Sequence, residues 1–223
     1  MSGSKATPTR TRGYKKKERT RRQLVDAAIE EIAQTGEAFT ILDVTKRADV
    51  SNGTFYNYFD DRDALVDAVI TEVVTAFTDT SAELVTLDDP VRRFAAITAL
   101  LLERSAANPQ LAKVLLRLHS VAYIDTSTGD PFRHLRNDLA AASEQGRLAR
   151  EPTEAAIDLV TGTLSRAVLR LTTGTAPNGY RRDVISLLLT SFGLDQLEAE
   201  GIADEAVAGA PELDLAYRST DSP

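Results

Sequence analysis

Residues 40–65 read TILDVTKRADVSNGTFYNYFDDRDAL. Thr40, followed three residues later by Asp43, makes a helix cap, and Ile41, Val44 and Ala48 are the buried positions of the short helix it opens. The chain then turns through Asp49-Val50. Ser51 caps a second short helix bearing Phe55 and Phe59. Two short helices joined by a turn of about three to four residues are the layout of a helix-turn-helix. Such a turn wants a residue at positive φ, which Asp49 adopts less readily than glycine.

The second helix has features that packing does not require. Glycine costs about 1 kcal/mol relative to alanine inside a helix, so Gly53 points to close approach of something to the backbone. Asn52, Thr54, Tyr56, Asn57 and Tyr58 form a dense run of donors and acceptors, unusual for an inward face. In the major groove of DNA such groups hydrogen-bond base edges and phosphate oxygens.

Charge supports the same partner. The 223-residue chain has a net charge of -7, which taken globally argues against a polyanion. Residues 1–22, however, hold nine basic side chains and one acid, Glu18. This is a basic arm on an otherwise acidic body, suited to strapping a DNA backbone or minor groove. Residues 1–18 read as flexible. A first helix begins near Thr20, where Thr20 and Gln23 fit a capping box, and Leu24, Ala28 and Ile32 beside Val25, Ile29 and Ala33 form its apolar rows. Gly36 suits its end.

The string Thr40, Ala48, Val50-Ser51, Gly53-Thr54-Phe55-Tyr56, Tyr58-Phe59, Arg62 and Leu65 resembles the DNA-binding domain of the tetracycline-repressor (TetR) family of bacterial regulators, over residues 19–66. Asp49 stands where that family usually has glycine, Thr45 where it usually has alanine, and Arg62 where it usually has lysine. The resemblance implies a core role for Phe55 and Phe59. It implies phosphate contacts for Thr40, Ser51, Tyr56 and Arg62, and places Asn52, Thr54, Asn57 and Tyr58 nearest the bases, with Gly53 among them. Asn57 is the best candidate for direct readout, since an amide pairs with adenine in a bidentate way.

The rest of the chain is helical in pattern, so the fold class is all-α with about nine helices. Asp89-Pro90, Asn108-Pro109 and Asp130-Pro131 each place a cap residue before a proline, and Gly146 and Gly174 read as helix stops. Residues 67–193 form a larger domain. The family implies a ligand cavity there, and Phe94, Leu101, His119, Tyr123, Leu135, Asn137, Thr161, Leu164 and Ser165 are its candidate lining. Residues 90–180 hold 11 basic and 8 acidic side chains, which gives the ligand no charge preference. Helices near 153–173 and 180–193 read as a dimer pair, with Gly162, Thr163 and Ala167 permitting close approach and Leu187-Leu188-Leu189 too apolar to face water. A two-fold dimer sets its reading helices roughly 35 Å apart, matching a near-palindromic operator. Residues 194–223, with eight acids against Arg218, read as a mobile acidic tail.

Other chemistries find little to work with. There is no cysteine, and His119 and His134 are the two histidines, so no metal site, disulfide or thiol nucleophile is expected. No apolar run approaches the ~20 residues of a membrane span, and the basic N-terminus lacks the apolar segment of a secretory signal. The expected compartment is the cytoplasm. Nucleophile elbows and phosphate-binding glycine loops are missing too, so catalytic residues and cofactors are not expected. The reading is a homodimeric, ligand-responsive DNA-binding repressor. A sequence-indifferent DNA-coating protein and an all-α small-molecule enzyme are its alternatives.

Overall fold

The computed structural model describes residues 12–35, 38–109, 112, 116, 130, 132–149 and 151–220, with the backbone alone for 12–15, 33 and 214–220. The described residues form nine α-helices and no strand. These are α1 (Arg12–Thr35), α2 (Ile41–Arg47), α3 (Asn52–Phe55), α4 (Arg62–Leu84), α5 (Pro90–Ala107), α6 (Arg133–Glu144), α7 (Glu154–Thr172), α8 (Tyr180–Ser191) and α9 (Gln196–Thr220). The chain divides into two compact units, Met1–Val69 and Ile70–Pro223.

In the N-terminal unit α1 packs on α2, and α2 on α3. Leu24, Val25, Ala28 and Ile32 point inward from α1, at the helical spacing that predicts them, to meet Val44, Phe55, Phe59 and Leu65. The first helix is longer than its capping signal implies. It begins at Arg12, so Thr20 lies inside it and residues 12–18, expected to be flexible, are helical; residues 1–11 lie outside the described residues. Gly36 lies outside the described residues.

In the C-terminal unit α5 is the central helix, packed on α6, α7, α8 and α9. Asp89 caps it as expected, its Oδ1 accepting the N–H of Val91 at 2.9 Å and of Arg92 at 3.3 Å, with Pro90 in the first turn. Phe94 meets Phe192 from α8's end with ring centroids 6.2 Å apart. Gly146 and Gly174 do stop α6 and α7, at φ of 68° and 67°. Asn108 both closes α5, donating its N–H to the Arg104 carbonyl at 2.9 Å, and precedes a helical Pro109 as expected, its own carbonyl accepting the Ala112 N–H at 3.1 Å.

The acidic C-terminal segment is not a mobile tail. Residues 196–220 form α9, with Ala199, Ile202, Ala203, Ala206 and Ala210 buried against the core. These small residues recur at three- and four-residue intervals, and the acids lie on the opposite face. Glu200 and Asp204 bind Arg182 of α8 at 3.1 and 2.6 Å, so part of the tail's negative charge is neutralised by its neighbour.

Candidate functional site

Local chemistry sets the helix-turn-helix. Thr40 Oγ1 accepts the Asp43 N–H at 3.2 Å, while Asp43 Oδ2 accepts the Thr40 N–H at 2.9 Å and its hydroxyl at 2.6 Å. The Thr40 hydroxyl, then its backbone N–H, hold the Asp43 carboxyl below its ordinary range. At the other end of α2, Asp49 sits at φ 53°, donating its N–H to Lys46 O at 3.3 Å while Val50 N–H reaches Thr45 O at 3.0 Å. These two bonds make a Schellman motif, with aspartate at the left-handed position usually given to glycine. Thr45 is buried, and its hydroxyl is satisfied by the Leu42 carbonyl at 3.2 Å.

The reading helix α3 is short. Ser51 Oγ accepts the Thr54 N–H at 3.1 Å, and the helix gives way to a turn at Tyr56. Phe55 is fully buried, 5.7 Å from Phe59 by ring centroid and edge-on to Tyr56 at 5.2 Å. With that anchor inward, Ser51, Asn52, Gly53, Tyr56 and Asn57 face solvent, and Thr54 and Tyr58 are half-buried. Tyr56, at 55% exposure, keeps more than half of its surface in water. Gly53 has an ordinary φ, and a Cβ built on it meets only Ser51 Oγ, at 3.9 Å. Nothing in the chain's own packing requires glycine there. Thr40 is exposed as well. Arg62 at the start of α4 is anchored, its guanidinium 4.3 Å above the Phe39 ring and its Nε–H 3.2 Å from the Phe39 carbonyl.

A cavity of about 150 Å³ opens in the C-terminal unit, walled by the C-terminal part of α4 and by α5, α6 and α7. Its wall is mostly apolar, with Phe77, Phe94, Leu101, Phe132, Leu135 and Leu164 prominent. His134 and Asp138 of α6 and Thr161 and Ser165 of α7 supply polar groups. Thr161 Oγ1 donates to the Ile157 carbonyl at 2.9 Å, leaving its oxygen as an acceptor. His134 Nε2 lies 2.7 Å from Asp79 Oδ1. Among the described residues no group of three or more His, Cys, Asp or Glu is placed to hold a metal ion, and no helix is long and apolar enough to cross a membrane.

Residues 24–69 match the family described as bacterial regulatory proteins, tetR family. The helix-turn-helix segment is of the tetR-family type. The match covers the helix-turn-helix, the C-terminal half of α1 and the first turns of α4. Beyond that segment the chain is similar to solved structures along most of its length. RolR in complex with resorcinol is 26% identical, covering 85% of this chain and 95% of its own, with a TM-score of 0.69. RolR without ligand is 25% identical over 82% of this chain and 95% of its own, at 0.62. The fatty acid degradation regulator FadR from Bacillus halodurans shares the fold at 19% identity, 79% and 97% coverage and a TM-score of 0.53. No curated protein matches the chain.

The DNA-binding residues expected from sequence lie together on one short segment, Thr40 to Arg62. Of the expected cavity residues, Phe94, Leu101, Leu135, Thr161, Leu164 and Ser165 line the cavity. Asn137 does not; it is exposed on α6, because a residue one position from Asp138 points about 100° away around the helix. His119 and Tyr123 lie outside the described residues. Sequence reasoning missed Phe77, Phe132, His134 and Asp138. The last two stand four residues apart on α6, a spacing that sequence does show, but nothing in it tells which face meets a cavity. At the expected dimer pair, Ala167, Leu188 and Leu189 are buried in the chain's own core and so do not face outward, whereas Leu159, Leu169 and Leu187 are exposed.

Proposed function

We propose that the chain is a tetR-family regulator that acts in the cytoplasm as a homodimeric repressor, bound to a near-palindromic operator and released by a small molecule held in the α4–α7 cavity. The observation that carries the DNA half is the surface of α3, where exposed Asn52, Tyr56 and Asn57 flank a glycine that the fold itself does not need. Exposed amide and phenol groups around an uncovered backbone suit base edges and phosphates. Ser51, Thr54, Tyr58, Thr40 and Arg62 complete the contact set, with Arg62 fixed by Phe39 for a phosphate.

The effector half is supported by size and chemistry. A cavity of about 150 Å³ lined by Leu, Ile and Phe holds one benzene-sized ring, and the structurally similar RolR is described with resorcinol. Release requires that the ligand bind the DNA-bound and free states with different affinity. Dimerisation is assigned to α7 and α8, where Leu159, Leu169 and Leu187 leave large apolar side chains in water, Leu187 at 68% exposure.

Fluorescence anisotropy against the DNA upstream of the regulator's own gene, with random DNA as competitor at near-physiological salt, tests this reading. The expected result is a preference of about a thousandfold or more, lost in Asn57→Ala. Equal affinity for both DNAs, repeated with sites selected from a random pool, overturns it in favour of a sequence-indifferent DNA-coating protein.

A further inference from the structure

Asp138 is a buried carboxylate in an apolar wall, 6% exposed. Arg93 of α5 approaches it with Nε at 2.7 Å and Nη2 at 2.6 Å, and both contacts fall on the same oxygen, Oδ1. The third Arg93 nitrogen, Nη1, donates to the Leu87 carbonyl at 2.7 Å, so each of the three guanidinium nitrogens already has an acceptor. Among the described residues no contact falls on Oδ2 of Asp138. Burial pushes the Asp138 carboxyl up, and the Arg93 hydrogen bond and charge oppose it, as expected for an anion set in a desolvated wall beside one cation. One turn earlier on the same helix face stands His134. Its Nε2 lies 2.7 Å from Asp79 Oδ1 and 3.2 Å from Arg133 Nη2.

The cavity thus offers a carboxylate acceptor on α6, against the aromatic rings of Phe77, Phe94 and Phe132. No arginine or lysine belongs to its described lining. A carboxylate oxygen in an apolar wall is poorly solvated, and a ligand O–H that meets it gains a charge-assisted hydrogen bond. An anionic ligand fares in the opposite way. Its charge would lie against Oδ2 in a low-dielectric wall, with the Arg93 nitrogens already paired.

We infer that the cavity selects a neutral single-ring molecule bearing a hydroxyl, whose O–H donates to Asp138 Oδ2, and that it rejects ring carboxylates. Asp138 is then the specificity-determining residue of the effector site, an inference that rests on reading the cavity as that site.

The test is a calorimetric titration of the full chain with four probes of nearly one size: phenol, anisole, toluene and benzoate. Phenol stays neutral at pH 7 and carries the donor; anisole keeps the oxygen but lacks the donor. Phenol is expected to bind at least ~tenfold tighter than anisole or toluene, the value of a hydrogen bond to a charged group, and benzoate to bind weakest. Asp138→Asn, checked for folding by circular dichroism, is expected to bring phenol within about threefold of anisole. Equal binding of phenol and anisole, tighter binding of benzoate, or no binding of any ring overturns the inference. So does a folded Asp138→Asn protein with the preference intact, and if that variant does not fold the wild-type series decides alone. Release from operator DNA is measured separately. Selective phenol binding without DNA release sinks the effector role but not the selectivity, whereas DNA release that ignores the hydroxyl does the reverse.

Discussion

Arg47 at the end of α2 and Glu31 on α1 meet with Nε 2.7 Å from Oε1, and this pair ties the first helix of the helix-turn-helix to the helix behind it. The same guanidinium reaches Glu30 Oε2 at 2.8 Å and Gln34 Oε1 at 3.1 Å, so one side chain fans across three positions of α1. The hydrogen bonds it donates to Glu31 and then Glu30 raise the Arg47 pKa, outweighing its desolvation. Glu31 is the buried partner, at 9% exposure. In Arg47→Met it is left without its cation, and the unfolding midpoint in urea falls. Adding Glu31→Gln removes the stranded charge and is expected to recover part of the loss. A double variant less stable than the sum of the single losses refutes this account.

Gly53 carries a prediction with opposite signs in its two readouts. Gly53→Ala places its methyl at ordinary distance from Ser51 Oγ and improves helix propensity, so stability rises by up to about 1 kcal/mol. The added methyl occupies the surface assigned to DNA, and operator affinity falls about tenfold or more. Chemical denaturation and anisotropy on one preparation read both. Unchanged DNA affinity removes Gly53 from the interface.

Asp49 holds a left-handed backbone that glycine adopts freely. Asp49→Gly is expected to stabilise the protein by about 0.5–1 kcal/mol, the relief at positive φ exceeding the added freedom of the unfolded chain. Asp49→Val, β-branched at φ 53°, is expected to lose at least about 1 kcal/mol. Equal midpoints for the two variants contradict the argument.

Gly193 is required by close approach as well as by its φ of 95°. A Cβ there collides with that of Ala149 and lies 3.2 and 3.3 Å from the Ala149 backbone N and Cα, where Ala149 N–H donates to Phe192 O at 3.0 Å. Gly193→Ala therefore costs about 2–4 kcal/mol. A thermal melt within a degree of wild type disproves the tight packing.

Asp89 sets an acid limit on stability. Burial pushes its carboxyl up, but the Arg147 hydrogen bond and the N–H groups of Val91 and Arg92 outweigh it and leave the pKa below the ordinary range. A depressed folded pKa stabilises the protein above the unfolded value, near 4, and that contribution is lost as pH falls through the folded value. Asp89→Ala is expected to cost about 1–2 kcal/mol at pH 7 through loss of the cap and the partly exposed pair. The difference from wild type shrinks below about pH 4. A constant difference from pH 7 to pH 3 would exclude the ionised carboxylate as its source.

The helix-turn-helix was legible because its signals are local. Thr40 with Asp43, Ser51 with Thr54, and Asp49 at the turn act within three or four residues, so caps, turn and inward rings follow from sequence order alone. The apolar rows of α1 and α5 were equally plain, since burial repeats with the helical period. Other features depend on elements far apart in the chain. The acidic residues of 194–223 suggested solvent, yet α9 is held by a face of alanines and one isoleucine whose partner α5 lies about a hundred residues earlier. Leu187, Leu188 and Leu189 are identical in composition, and only the packing of α8 separates the exposed first from the buried pair. The cavity shows the same division. Phe94 was nameable from periodicity, but which oxygen of Asp138 is paired depends on Arg93, 45 residues away in sequence, which places both of its contacts on Oδ1. Local chemistry is written along the chain, whereas which polar atom is left facing a cavity is decided by the last partner to pack against it.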